Sequence, residues 1–124
     1  MILPEDTMLG KLNIGVTYEY YDCPRLFTCK NEYNQYYVAV SVEDIDTEMI
    51  WLYVRVSSNR LDKIIAGEID LRDAFLKAEE RYVLKVKTLG KGPDTAEMLI
   101  CSEIPEKYLI KKGETLLRKK HEHI

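Results

Sequence analysis

A change of period within residues 50–75 constrains this chain more than any other feature. Ile50, Leu52, Val54 and Val56 alternate with Trp51, Tyr53, Arg55 and Ser57, the two-residue repeat of a strand with two distinct faces. Leu61, Ile64 and Ile65 then fall at helical spacing, and Leu71, Ala74, Phe75 and Ala78 repeat it. The helices carry their own punctuation. Ser57 or Ser58 is suited to N-cap the first, and Gly67 to close it in the left-handed conformation. Asp70 is suited to cap the second, with Asp73 adding favourable charge to its first turn. A strand running straight into two short capped helices predicts an α+β domain.

The rest of the chain reads mostly as strand. Leu12, Ile14, Val16, Tyr18 and Tyr20 alternate with polar or small partners, and Gly15 marks a bulge or a close backbone approach. Asp22-Cys23-Pro24 breaks that run, and a short strand is expected over residues 26–30. Asn31-Glu32-Tyr33-Asn34 makes a turn. Tyr36, Val38, Val40 and Val42 then alternate with Tyr37, Ala39 and Ser41, and an acidic loop over 43–48 leads into the strand at Ile50. Two more strands are expected over 82–87 and 96–102, joined by a turn over 89–94, with one helical turn after Pro105. Connections this short suit an antiparallel meander, because parallel crossovers need a dozen or more residues. The expected fold is a curved antiparallel sheet of about five to six strands, with two short helices inserted after the central strand. Residues 1–110 form the single domain, and 111–124 a basic C-terminal tail that frays near His121.

Charge and cysteine usage narrow the function classes. The 124 residues carry a net charge of −3, so the molecule as a whole is no general polyanion binder. That charge is uneven: residues 1–104 are net −6 and residues 105–124 net +3. Three cysteines at irregular spacing, Cys23, Cys29 and Cys101, cannot all pair and form no C-x-x-C, which suits reduced thiols in a cytoplasmic protein. No apolar run approaches the roughly 20 residues of a membrane span, and the first residues lack the basic and apolar regions of a secretory signal.

No catalytic residue, cofactor or metal site is assigned. The acidic loop lacks the glycine and terminal glutamate of a calcium loop. The only histidines, His121 and His123, lie in the terminal tail, where a metal would lack further ligands and a rigid frame. That placement also leaves no His-based general base in the folded body. A small hydrolase using Asp22, Asp44, Asp46 or Asp70 is the least supported class, because nothing in the spacing positions a carboxylate pair.

The candidate site is the second face of the strands. If Ile50, Leu52, Val54 and Val56 lie under the helices, then Trp51, Tyr53 and Arg55 point the other way, joined by Tyr37. Trp, Tyr and Arg are enriched among binding hot spots, and this face is read as docking a partner protein or a second copy. Two structural readings compete with it: the tail around 104–117 covers the face, or the sheet curls and closes both faces. The alternative function is nucleic-acid binding by Lys111, Lys112, Arg118, Lys119 and Lys120.

Several short patterns add a resemblance. They are Tyr21-Asp22-Cys23-Pro24-Arg25-Leu26-Phe27, Trp51-Leu52-Tyr53-Val54, Ser57 with Arg60-Leu61, and Gly67-Glu68-Ile69-Asp70-Leu71-Arg72 followed by Ala74-Phe75. On these the chain resembles, over residues 9–117, a family of small uncharacterised bacterial proteins. Cys23 stands where that pattern expects glycine, and Ile110 where it expects proline. The resemblance implies a bacterial or phage-derived cytoplasmic protein, an accessory subunit of a larger, defence-related system, and brings no activity or catalytic residue with it. It also singles out Tyr21, Asp22 and Arg25 as a corner that either binds a partner or fixes a turn. In the latter case Arg25 would return to the Asp22 carboxylate.

Overall fold

The computed structural model describes residues 9–45, 47–89 and 94–122. Six strands follow one another: β1 (Leu12–Tyr21), β2 (Cys23–Asn31), β3 (Tyr36–Ile45), β4 (Glu48–Val56), β5 (Tyr82–Leu89) and β6 (Thr95–Ile100). They form one sheet in the order β1-β2-β3-β4-β5-β6, each paired antiparallel with the next. This is the α+β meander expected from the short connections. Helices α1 (Ser58–Ile65) and α2 (Leu71–Leu76) follow β4, and α3 (Leu116–Glu122) is the last described element.

The helix punctuation works as read. Ser57 caps α1, its hydroxyl accepting from the Arg60 N–H, and Gly67 takes a φ of +80° just beyond the helix. Asp70 caps α2 by accepting from the Asp73 N–H at 2.8 Å. Its other carboxylate oxygen accepts from the Gly113 N–H at 3.0 Å, and the Leu71 N–H donates to the Glu114 carbonyl at 2.8 Å. The chain past residue 110 is therefore stitched to the start of α2 and is not a free tail. Leu116 on α3 is wholly buried in the core under the helices, and Lys119 donates to Glu19 on β1 at 3.0 Å. The basic segment is part of the fold because it supplies this apolar side chain and these backbone bonds.

Three local expectations change. Asp22 alone turns the chain between β1 and β2, with a φ of +64°, so β2 begins at Cys23 and Pro24 lies within it opposite Tyr20. Pro is tolerated there because the ladder is already irregular at a register shift. The acidic loop shrinks, since Glu43 and Asp44 belong to β3 and Glu48 to β4. The last strand ends at Ile100, and Cys101–Glu103 turns into a single 3-10 turn. The turn over 89–94 falls mostly outside the described residues, as does His123.

β1 contains the feature that alternation alone misread. Leu12 and Ile14 pack with the second face of the sheet, whereas Tyr18 is buried with the first. The switch follows register shifts between Ile14 and Thr17 and between Thr17 and Glu19. Gly15 sits at the first of these, where a Cβ would lie 2.8 Å from the Thr28 hydroxyl oxygen. That hydroxyl accepts from the Val16 N–H at 3.1 Å, replacing a ladder bond that the bulge breaks.

Candidate functional site

The two faces of β4 lie in two different cores. Ile50, Leu52, Val54 and Val56 pack with Leu61, Ile64, Leu71, Phe75, Ile104, Tyr108 and Leu116, beneath the helices. Trp51 and Tyr53 pack with Leu9, Leu12, Phe27, Cys29, Tyr37, Ala39, Leu84 and Val86 on the opposite face. Phe27 meets Trp51 edge-on with ring centres 5.6 Å apart, and Tyr37 meets Tyr53 at 6.3 Å. Trp51 and Tyr53 are 0% exposed and Tyr37 4%.

These numbers correct the docking-face reading for three of its residues. Trp51, Tyr53 and Tyr37 form a second interior, because β1 to β5 all contribute apolar side chains to that face. The tail covers the other face: Ile104, Tyr108 and Leu116 lie in the core under the helices. Arg55 alone of this set reaches solvent, 3.6 Å from Glu80. Beside it Gln35, Tyr37, Tyr53, Tyr82 and Leu84 line a cleft of about 220 Å³. Burial pushes the Tyr53 phenol well above its ordinary pKa and also raises that of Tyr37, the latter partly offset by Arg55. The Tyr53 hydroxyl and the Trp51 indole N–H are buried and have no hydrogen-bond partner among the described residues.

The Tyr21-Asp22-Arg25 corner sits at the opposite end of the strands from Arg55, so the structure does not bring the two candidate sets together. Arg25 does not return to Asp22. Its Nε donates to the Tyr21 carbonyl at 2.9 Å, and its Nη1 lies 2.9 Å from the Asp44 carboxylate. Tyr21 itself is 73% exposed.

The five cations of the nucleic-acid alternative are divided. Lys119 is held by Glu19 and Glu114, at 3.0 and 3.4 Å. Burial lowers its pKa, but the two carboxylates more than offset that, and the net shift is upward. Lys111, Lys112, Arg118 and Lys120 remain at the surface.

Other residues singled out from the sequence prove to have structural partners. The Ser57 hydroxyl donates to Glu79 at 2.9 Å, and Arg60 donates to the carbonyls of Asp73 and Lys77, tying α1 to α2. Arg72 grips both oxygens of Glu106 at 2.7 Å. Among the described residues no group of three or more His, Cys, Asp and Glu is placed to hold a metal, and no helix is long and apolar enough to cross a membrane.

What the sequence reading passed over is β6. It is a terminal strand, paired to β5 without a register shift, and among the described residues no strand lies on its outer edge. Met98 and Ile100 are 61% and 54% exposed. They pair with Leu84 and Tyr82 and so stand on the aromatic side of the sheet, at its rim. A signal was present: Ala96, Met98 and Ile100 alternate on the last strand of a meander, which must be an edge. The other edge differs. β1 has three register shifts against β2, and α3 is anchored to it through Lys119 and Glu19.

A family model described as "Family of unknown function (DUF6575)" matches residues 1–121. No curated protein and no solved structure matches the chain.

Proposed function

We propose that this chain, which belongs to the DUF6575 family and inherits no activity from it, is a non-enzymatic interaction protein that docks a protein strand along β6. The carrying observation is the state of that edge. Strands at sheet edges are ordinarily blunted by bulges, Pro or Lys, because their free N–H and C=O groups template pairing with another chain. The run Thr95-Ala96-Glu97-Met98-Leu99-Ile100 contains neither Pro nor Lys, and its ladder to β5 is regular. An added strand would satisfy its outer backbone groups and cover Met98 and Ile100, removing apolar surface worth roughly 1–1.5 kcal/mol at each. The bacterial resemblance supports placing the protein as an accessory subunit of a larger cytoplasmic system.

The test is the double variant Met98→Lys/Ile100→Lys. Both side chains are mostly in water, so its melting temperature should stay within a few degrees of the parent's. Proteins cross-linked to the wild-type chain in cells should be lost from the variant. Equal recovery with both would move the interface away from β6 and overturn the reading.

A further inference from the structure

Resting on that reading of β6, we infer that the strand docked there is the β6 of a second copy, paired antiparallel about a two-fold axis through Met98. A two-fold axis normal to the sheet keeps each face on its own side, so only registers centred on a residue are allowed. Centring on Glu97 sets that carboxylate directly against its own copy, which like charges disfavour. Centring on Leu99 leaves Glu97 opposite Cys101, which has already left the strand, so only residues 98–100 pair.

Centring on Met98 has neither defect. Met98 faces Met98 of the second copy, Ala96 faces Ile100, a small side chain against a large one, and Glu97 faces Leu99. Residues 96–100 all pair, and Glu97 keeps Lys85 of its own chain 3.8 Å away. Met98 and Ile100 lie on the same side as the aromatic core, so pairing joins the two aromatic cores across the junction. The opposite edge cannot repeat the operation, because β1 is bulged and braced by α3. The assembly therefore closes at two copies instead of growing into a filament.

The experiment uses the full chain with Cys23→Ser, which removes the half-buried native thiol. Met98→Cys and Glu97→Cys are compared on that background under mild oxidation. Opposed strand residues lie within disulfide reach, so Met98→Cys should give a covalent dimer at least roughly tenfold faster than Glu97→Cys. Sedimentation of the wild-type chain should show mass rising with concentration over roughly 10–500 µM, as a small interface requires, and Met98→Lys should abolish the rise. Equal or faster linking through Glu97→Cys overturns the register. A wild-type chain monomeric throughout overturns the second copy as occupant. The docking role of β6 is judged separately, by whether Met98→Lys/Ile100→Lys still loses its cross-linked proteins.

Discussion

Trp51 separates an interface from an interior in one side chain, and its complete burial among Phe27, Tyr53 and Val86 places it inside. Truncating Trp51→Ala should cost about 3–5 kcal/mol of folding stability, read by urea denaturation, with blue-shifted native fluorescence that persists on dilution. A loss under about 1 kcal/mol would mean that the ring is not enclosed in the free chain. Cys29 gives a second test at the same scale. Burial pushes its thiol up to about 12, from an ordinary value of 9.0. The folded state thus holds a proton that the unfolded chain releases once pH passes 9, and stability should fall from there towards pH 12. Burial raises Tyr18, Tyr37 and Tyr53 in the same direction, steepening that alkaline loss. Thermal melts between pH 7 and 11 should therefore show a declining midpoint above pH 9, and Cys29→Ser should flatten the first part of the decline.

At the scale of elements, Asp70 links two pieces of chain that are far apart in sequence. One carboxylate oxygen caps α2 and the other takes the Gly113 N–H, beside the bond from Leu71 N–H to Glu114. Losing an N-cap costs about 1 kcal/mol, and here the loss also unpins the segment that carries Leu116 and Lys119. Asp70→Ala should lower stability by about 1–2 kcal/mol and speed amide exchange selectively over 111–122, followed by hydrogen-exchange mass spectrometry. Uniform exchange across the chain would show that α3 is held independently of this cap. Gly15 acts at the same scale, since its missing Cβ lets β1 approach the Thr28 hydroxyl and cross from one core to the other.

At the scale of the molecule, one sheet separates two interiors of different character. The helix side is aliphatic for the most part, built around Leu26, Leu52, Ile64 and Leu71, and is covered by the chain's own helices and closing segment. The other side is aromatic, with its rings packed edge to face, and it runs out at β6 into Met98 and Ile100. A sheet with one irregular, braced edge and one regular edge that no described strand covers is polarised. If a strand docks at β6 as proposed, that asymmetry would limit association to a single further strand, whereas two such edges would permit open-ended stacking. Met98→Lys/Ile100→Lys should consequently change assembly without changing the fold, the opposite of what Trp51→Ala should do.

Local chemistry was legible in the residues themselves. The caps at Ser57 and Asp70, the left-handed Gly67, the meander and the alternation of β4 all depend on a few consecutive side chains and on backbone geometry that sequence spacing specifies. The reading correctly divided Ile50, Leu52, Val54 and Val56 from Trp51 and Tyr53, because a strand's period fixes which residues share a face. It could not say what covers each face. A Trp-Tyr stripe is the same pattern whether it meets a partner or Phe27 and Leu84 of its own chain, and only long-range packing distinguishes the two. Tertiary structure also decided the partner of Arg25, which is Asp44 on β3, and turned a basic tail into a docked helix through Leu116. Those contacts join residues distant in sequence, and their geometry is set by strand register, which β1 shifts three times.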